Sequence, residues 1–266
     1  MHPTTLFLVL LGTALAVSAI GFVRLVWFIS IGYGYAIAAL AVVLAGLLPT
    51  AGLTMLLAAQ LALLFIYGAR LGTHLLLREK QAAYRQAAQS NYGEVSGGWG
   101  LKCAIWLAVA PLYVAMFSPA VIHALGTGHA PVPALAGLGV MAGGLLLEGL
   151  ADWQKSAAKQ QAPGRFCDRG LFGWVRCPAY LGEILFWLGN WLTGAAFCAT
   201  WWHWTLSLAG LLCIVLIMLG STKRLEAAQQ RRYGALPDFQ RYCQTVPILI
   251  PWIPLYSVQQ LRWTLG

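Results

Sequence analysis

Charge is what this sequence has least of. Only 9% of its 266 residues are Asp, Glu, Lys or Arg, against 59% that are hydrophobic, and the mean hydropathy is +0.70. Soluble domains carry roughly 25% charged residues. So few charges cannot coat a water-exposed globule, which argues against soluble folds, disorder, coiled coils and disulfide miniproteins. The bilayer is the expected solvent. Several motifs are also missing. There is no Walker loop and no G-x-G-x-x-G after a strand. No His and carboxylate spacing suits a metal, so no metal is expected, and no nucleophile elbow announces a Ser-His-Asp hydrolase. The six cysteines, at 103, 167, 177, 198, 213 and 243, include no metal-type C-x-x-C pair. They read as reduced packing residues. No internal repeat, Gly/Ser linker or separate soluble segment appears, so one integral membrane domain is expected over 1–266.

What the chain does have is long apolar runs. They lie near 4–23, 26–48, 52–77, 102–124, 131–150, 180–197 and 200–220, each close to the ~20 residues a helix needs to cross a bilayer. The first lacks the basic flank of a signal peptide and is kept as a span. The reading is an all-α membrane protein, a seven-transmembrane-helix bundle. Arg24, Arg70, Arg78, Lys80, Arg85 and Lys102 then fall on one side. So do Lys155, Lys159, Arg165, Arg169, Arg176, Lys223, Arg224, Arg231, Arg232, Arg241 and Arg262. The connections 2–3, 4–5 and 6–7 carry no Lys or Arg. The positive-inside rule places the N-terminus outside and the C-terminus in the cytoplasm. The net charge of +9 thus serves topology and anionic ligands rather than nucleic acid. The outer connections are short. The inner segments 79–101, 151–179 and 221–266 are long, so the working face is expected in the cytoplasm.

Polar residues inside apolar runs are costly and mark function or helix–helix bonding. On span 3, Gln60, Tyr67, Arg70, His74 and Arg78 share one helical face. Interhelical bonding with a snorkelling Arg78 explains them; so does a wet cavity or an anion beside Arg70. At the end of span 5, Glu148, Asp152, Lys155 and Lys159 recur at offsets of four, three and four, which suits ordinary i,i+4 pairs or a site. On span 6, Tyr180, Glu183, Trp187, Asn190 and Trp191 follow Pro178, a residue welcome in a first helical turn. Glu183 there suits either the helix dipole or a ligand. The stretch from Arg165 to Tyr180 interleaves arginines with aromatics, including Trp174. Such a mix can hold phosphates with arginine forks and stack on a flat heterocycle.

The run Gly170-Leu-Phe-Gly-Trp-Val-Arg-Cys-Pro-Ala-Tyr-Leu-Gly-Glu183 resembles the C-terminal signature of the steroid 5-alpha-reductase superfamily, in its uncharacterised bacterial branch. Glu148, Asp152 and Gln154, the run from Arg70 to Arg78, and the tail from Tyr242 to Pro251 support the resemblance, which covers roughly 60–255. It implies a membrane reductase in which NADPH enters from the cytosol and is bound within about 148–250. A hydride passes to the activated C=C bond of a hydrophobic, steroid- or isoprenoid-like enone drawn from the bilayer lipids. Tyr67 matches the tyrosine that polarises the carbonyl oxygen. Glu148, Asp152, Tyr180 and Glu183 are implied to position the nicotinamide-ribose part. Lys159, Arg165, Arg169, Arg176 and Arg224 are implied to hold phosphates, with Trp174 and Glu226 also in the cofactor site. The implied location is the bacterial inner membrane.

The sequence departs from the pattern in several places. Span 2 offers Tyr33 and Tyr35 in place of the usual Gln-Glu pair. Ala179 replaces an Asn, Cys177 a His and Gly173 an Arg. Two other readings stay open. One is an S-adenosylmethionine-dependent isoprenylcysteine-type methyltransferase, opposed by Cys177-Pro178 and by the lone carboxylate at Glu226. The other is a non-catalytic lipid-binding relative.

Overall fold

The computed structural model describes residues 2–49, 52–80, 98–126 and 131–261. Arg85, Arg262, most of the inner segment 79–101 and the outer turns at 50–51 and 127–130 lie outside them. Among the described residues eight α-helices follow in order: α1 (Pro3–Ser18), α2 (Ile31–Leu47), α3 (Met55–Lys80), α4 (Trp99–Leu125), α5 (Pro131–Gln161), α6 (Pro178–Ala195), α7 (Trp201–Tyr233) and α8 (Pro237–Thr245). No strand occurs among the described residues. Among the described residues six stretches are long and apolar enough to cross a membrane: Thr4–Phe22, Leu25–Leu47, Met55–Glu79, Trp99–Leu125, Val132–Gln161 and Trp201–Tyr233. The run expected as the sixth span is a helix, α6, but it is not among these six. It has 18 residues, and Glu183, Asn190 and Thr193 dilute its hydropathy.

Local chemistry explains several helix starts. Pro3 and Pro237 occupy first-turn positions, where the missing N–H costs nothing. The Thr54 hydroxyl accepts from the Leu57 amide at 3.2 Å and caps α3. Pro111 and Pro119 lie inside α4; a helix in a membrane protein tolerates this when its neighbours satisfy the freed backbone.

The chain divides into two compact units. The first comprises Met1–Leu138 and Asn190–Gly210; the second, Gly139–Gly189 and Leu211–Gly266. In the first unit, α2 packs on α3 and α1, and α1 on α4. The α2–α3 contact is backbone against backbone. A Cβ on Gly34 would lie 2.7 Å from the Gly72 nitrogen, and one on Gly68 2.7 Å from the Ala38 nitrogen. Small residues four apart on both helices permit this approach. The last turn of α1 is held by the Trp106 indole, which donates to the Leu15 carbonyl at 2.9 Å, and the turns that follow it by Lys102, which donates to the Phe22 carbonyl at 2.9 Å.

In the second unit, α5 and α6 meet in the same manner. A Cβ on Gly144 would lie 2.6 Å from the Gly182 carbonyl oxygen, and one on Gly182 2.7 Å from the Glu148 nitrogen. Gly170 has φ +62, and Gln154 Oε1 occupies the space its Cβ would need. That same oxygen accepts from the Leu171 amide at 2.9 Å, so Gly170 lets the turn Gly170–Gly173 close on α5. Two small cores complete this unit. Phe166, Tyr233, Phe239 and Tyr242 form one; Cys177, Ile248, Leu249 and Val258 form the other.

Candidate functional site

The polar face of α3 divides into separate functions within the first unit. Tyr67 is fully buried at 0% exposure, and Tyr33 is 6% exposed. Their hydroxyl oxygens are 2.8 Å apart. The Tyr33 ring packs on Tyr113 with centroids 5.5 Å apart, and the Tyr113 hydroxyl donates to the Phe28 carbonyl. Gln60 serves a different network. His123 Nδ1 lies 2.7 Å from Gln60 Oε1, Gln60 Nε2 donates to Asn190 Oδ1 at 2.8 Å, and Asn190 Nδ2 donates to the Met116 carbonyl at 3.1 Å. With Nδ1–H of His123 as the donor, every bond in the chain is satisfied in one direction. The His123 ring stacks on Phe197 at 4.1 Å. Arg70, His74 and Arg78 are half-buried further along α3. At its end Glu79 pairs with Arg24 at 2.8 Å.

The remaining expected site residues all belong to the second unit. Glu148, on α5, and Glu183, on α6, are buried at 3% and 7% exposure. Asp152 and Tyr180 are half-buried next to them in sequence. Lys159 donates to the Arg165 carbonyl and to the Tyr233 hydroxyl, each at 2.6 Å, and its ammonium sits 5.1 Å from the Tyr233 ring centre. Arg165 pairs with Asp168 at 3.0 Å, largely in solvent, where such a pair contributes little. Arg169 is exposed. Arg224 is half-buried and donates to the Ser221 hydroxyl at 2.9 Å.

Arg176 is placed differently from the other cations. It is 2% exposed and turned inward. Its guanidinium donates to Cys243 Sγ at 3.1 Å, to Glu226 Oε1 at 3.4 Å and to the Tyr256 carbonyl. Glu226 Oε2 in turn accepts from the Val258 amide at 3.1 Å and from Gln259 Nε2 at 3.3 Å. The backbone joins in: the Arg176 amide donates to the Pro247 carbonyl and the Cys177 amide to that of Ile248. Arg176 and Glu226 therefore hold the C-terminal tail.

Burial pushes the nearby Cys177 thiol up to about 12 and raises those of Cys167 and Cys243. It also raises the Tyr242 phenol, which donates to the Phe172 carbonyl at 2.7 Å. These thiols stay protonated near neutrality and are poor nucleophiles. Among the described residues no cluster of His, Cys, Asp and Glu could hold a metal ion. A groove of about 390 Å³ is lined by Trp174, Pro247, Trp252, Ile253, Pro254 and Tyr256, among others. The Trp174 and Trp252 rings flank it 6.3 Å apart.

Two features escape a reading of the spacing alone: the pairing of Tyr33 with Tyr67 and the inward turn of Arg176. The first leaves a signal. Tyr33-Gly34 and Tyr67-Gly68 are the same dipeptide on successive helices, and both glycines belong to the α2–α3 contact. The second leaves none, because the partners of Arg176 lie 50 to 80 residues further along the chain.

Fold and site together define an all-helical integral membrane protein, with neutral hydrogen-bond networks in one unit and a basic, aromatic segment in the other. A family model described as a protein of unknown function, DUF1295, matches residues 18–246, and the chain belongs to that family. No curated protein and no solved structure matches the chain.

Proposed function

We propose that this protein is an NADPH-dependent membrane reductase acting on the activated C=C bond of a hydrophobic enone. We place it in the steroid 5-alpha-reductase-like group to which the signature from Gly170 to Glu183 points. In this reading α6 is the seventh span, the N-terminus faces outward and the site faces the cytoplasm of a bacterial inner membrane. The observation that carries the proposal is how the signature folds. It sets Glu183 at the start of α6 beside the Gly182–Glu148 contact, with Arg165 and Arg169 exposed upstream.

The residues fit an anionic, nucleotide-like cofactor in part. We assign Arg165, Arg169, Lys159 and Arg224 to the phosphates, which they would hold by charge-assisted bonds. Asp152, Tyr180 and the two buried glutamates offer hydrogen bonds to a ribose and an amide, and Trp174 an exposed indole. Arg176 and Glu226 are assigned the wall of the site, since both are engaged with the tail. Bound NADPH supplies the hydride. The chain supplies the electrophilic assistance: the Tyr67 phenol donates to the carbonyl oxygen as negative charge develops there.

Thermal unfolding of the detergent-purified protein with NADPH, NADH or S-adenosylmethionine tests this. A ligand at 100 times its Kd adds about 2.7 kcal/mol to the folded state. Stabilisation by NADPH, together with enone-dependent NADPH oxidation, is the expected result. Stabilisation by S-adenosylmethionine alone would move the assignment to methyl transfer. No response to any of the three would leave a non-catalytic lipid-binding role.

A further inference from the structure

We propose that Tyr33 is a positioning residue for Tyr67. Its hydroxyl holds the Tyr67 hydroxyl in one orientation and donates to the Tyr67 oxygen as that oxygen gives up its own hydrogen bond to a ligand. The proposal rests on the reductase reading for the identity of that ligand, a carbonyl oxygen. It rests on geometry alone for the pairing itself.

Three observations carry it. First, the pairing is built into the backbone. Tyr33 and Tyr67 each stand one residue before a glycine of the α2–α3 contact, where the backbones approach too closely for a side chain between them. The 2.8 Å separation of the two oxygens follows from helix packing rather than from flexible side chains. Second, both phenols are buried, and a hydrogen bond shielded from water is electrostatically stronger than one in solvent. Third, the alternatives are committed elsewhere. Tyr35, the other phenol on α2, bonds the Thr73 hydroxyl at 3.2 Å. Tyr113, which packs on Tyr33, donates its proton to the Phe28 carbonyl.

The proton count then sets the direction. A phenol donates one hydrogen and accepts others. If the Tyr67 proton points at a ligand oxygen, only the Tyr33 proton can lie between the two tyrosines. Charge gathering on the Tyr67 oxygen is met by an oriented neutral donor, and no bond is made or broken at Tyr33. α2 carries no carboxylate, and a hydroxyl is less costly than an ionised group in an apolar helix pair.

The test uses the full chain in detergent with its tyrosines labelled with carbon-13 at Cζ. The Tyr67 resonance is identified by its loss in Tyr67→Phe. Tyr33→Phe is expected to move that resonance. Tyr113→Phe, which removes a hydroxyl bonded to backbone instead, is expected to leave it in place. If Tyr33→Phe does not move it, the proposal fails whatever the activity. In NADPH oxidation driven by a 3-oxo-4-ene steroid, Tyr33→Phe should lower kcat roughly 10- to 100-fold with KM nearly unchanged. The double variant Tyr33→Phe/Tyr67→Phe should be no slower than Tyr67→Phe alone. An active wild type with an unaffected Tyr33→Phe overturns the positioning role and leaves the reductase reading standing. A wild type that turns over no enone overturns the reductase reading and with it the ligand assigned to Tyr67. The resonance then decides the pairing alone.

Discussion

The two units solve the same problem, joining helices through polar groups, with different chemistry. In the first, the buried joints are neutral: phenol to phenol at Tyr33–Tyr67, and imidazole to amide to amide along His123, Gln60 and Asn190. An ion pair there, Arg24–Glu79, lies at the polar end of α3 with Arg24 about half exposed. In the second unit a buried joint is ionic, Arg176–Glu226, and it lies where the chain has left its apolar runs. The difference follows from solvation. A neutral donor and acceptor leave water at moderate cost, whereas each buried ion costs several kcal/mol and persists only with dense hydrogen bonding. The Arg176 guanidinium meets that need in part: Nη1 and Nη2 reach three acceptors, while Nε is buried with no hydrogen-bond partner.

The sharpest way to break this comparison is to remove the ion. Arg176→Met leaves Glu226 buried against the tail without its cation, and breaking a buried pair from one side costs about 3–5 kcal/mol. The thermal midpoint should fall by more than for any neutral-network change in the first unit. Cys177 reports on the cause. Burial raises its thiol from an ordinary value of 9.0 to about 12. The folded state thus favours the neutral thiol; that contribution is whole below pH 9 and is lost as pH climbs through 12. In the wild type Cys177 should resist maleimide at pH 8, and in Arg176→Met it should label as the tail lifts from Ile248 and Val258. Cys177 left unlabelled, with an unchanged midpoint, would show that the tail holds without the ion.

How much of this was legible in the sequence divides along the same line. The apolar runs announced each long helix among the described residues, because run length and hydropathy are properties of a single segment. The stripe from Gln60 to Arg78 announced a polar face on α3 for the same reason. What spacing on one helix cannot show is which neighbour that face meets. Gln60 and Tyr67, seven residues apart, bond to entirely different partners. Arg176 read as a phosphate ligand because arginine among aromatics suits one. Its burial depends on residues 243–258 folding back, a long-range event that local pattern does not encode. α6 marks the converse limit. Its polar residues made it look like a site within a span, and they also keep it from counting as apolar enough to be one.

A smaller effect is expected where the first unit is tightest. Gly68→Val places a branched side chain where a Cβ already falls 2.7 Å from the Ala38 nitrogen. Backbone cannot yield as a side-chain tip does, and overpacking of this kind costs about 1–3 kcal/mol. The matching change at Gly46, where a Cβ meets nothing within 4 Å, is a control on the same helix as Gly34 and should leave the midpoint nearly unchanged. Equal effects at both positions would mean that α2 and α3 are not in backbone contact.

The smallest effect, and the one that most sharpens the contrast with Arg176, belongs to the amide network. Hydrogen bonds between membrane helices couple by about 0.6 kcal/mol on average and at most about 1.7. A double-mutant cycle on Gln60→Leu and Asn190→Leu, read by thermal or denaturant unfolding in detergent, should return a coupling in that range. Each single change also strands two buried partners, His123 and Asn190 for Gln60→Leu and Gln60 and the Met116 carbonyl for Asn190→Leu, so the singles should cost more than the coupling alone. A coupling as large as the loss in Arg176→Met would mean that the neutral joints of the first unit hold as firmly as the ionic joint of the second, and the distinction between them would fall.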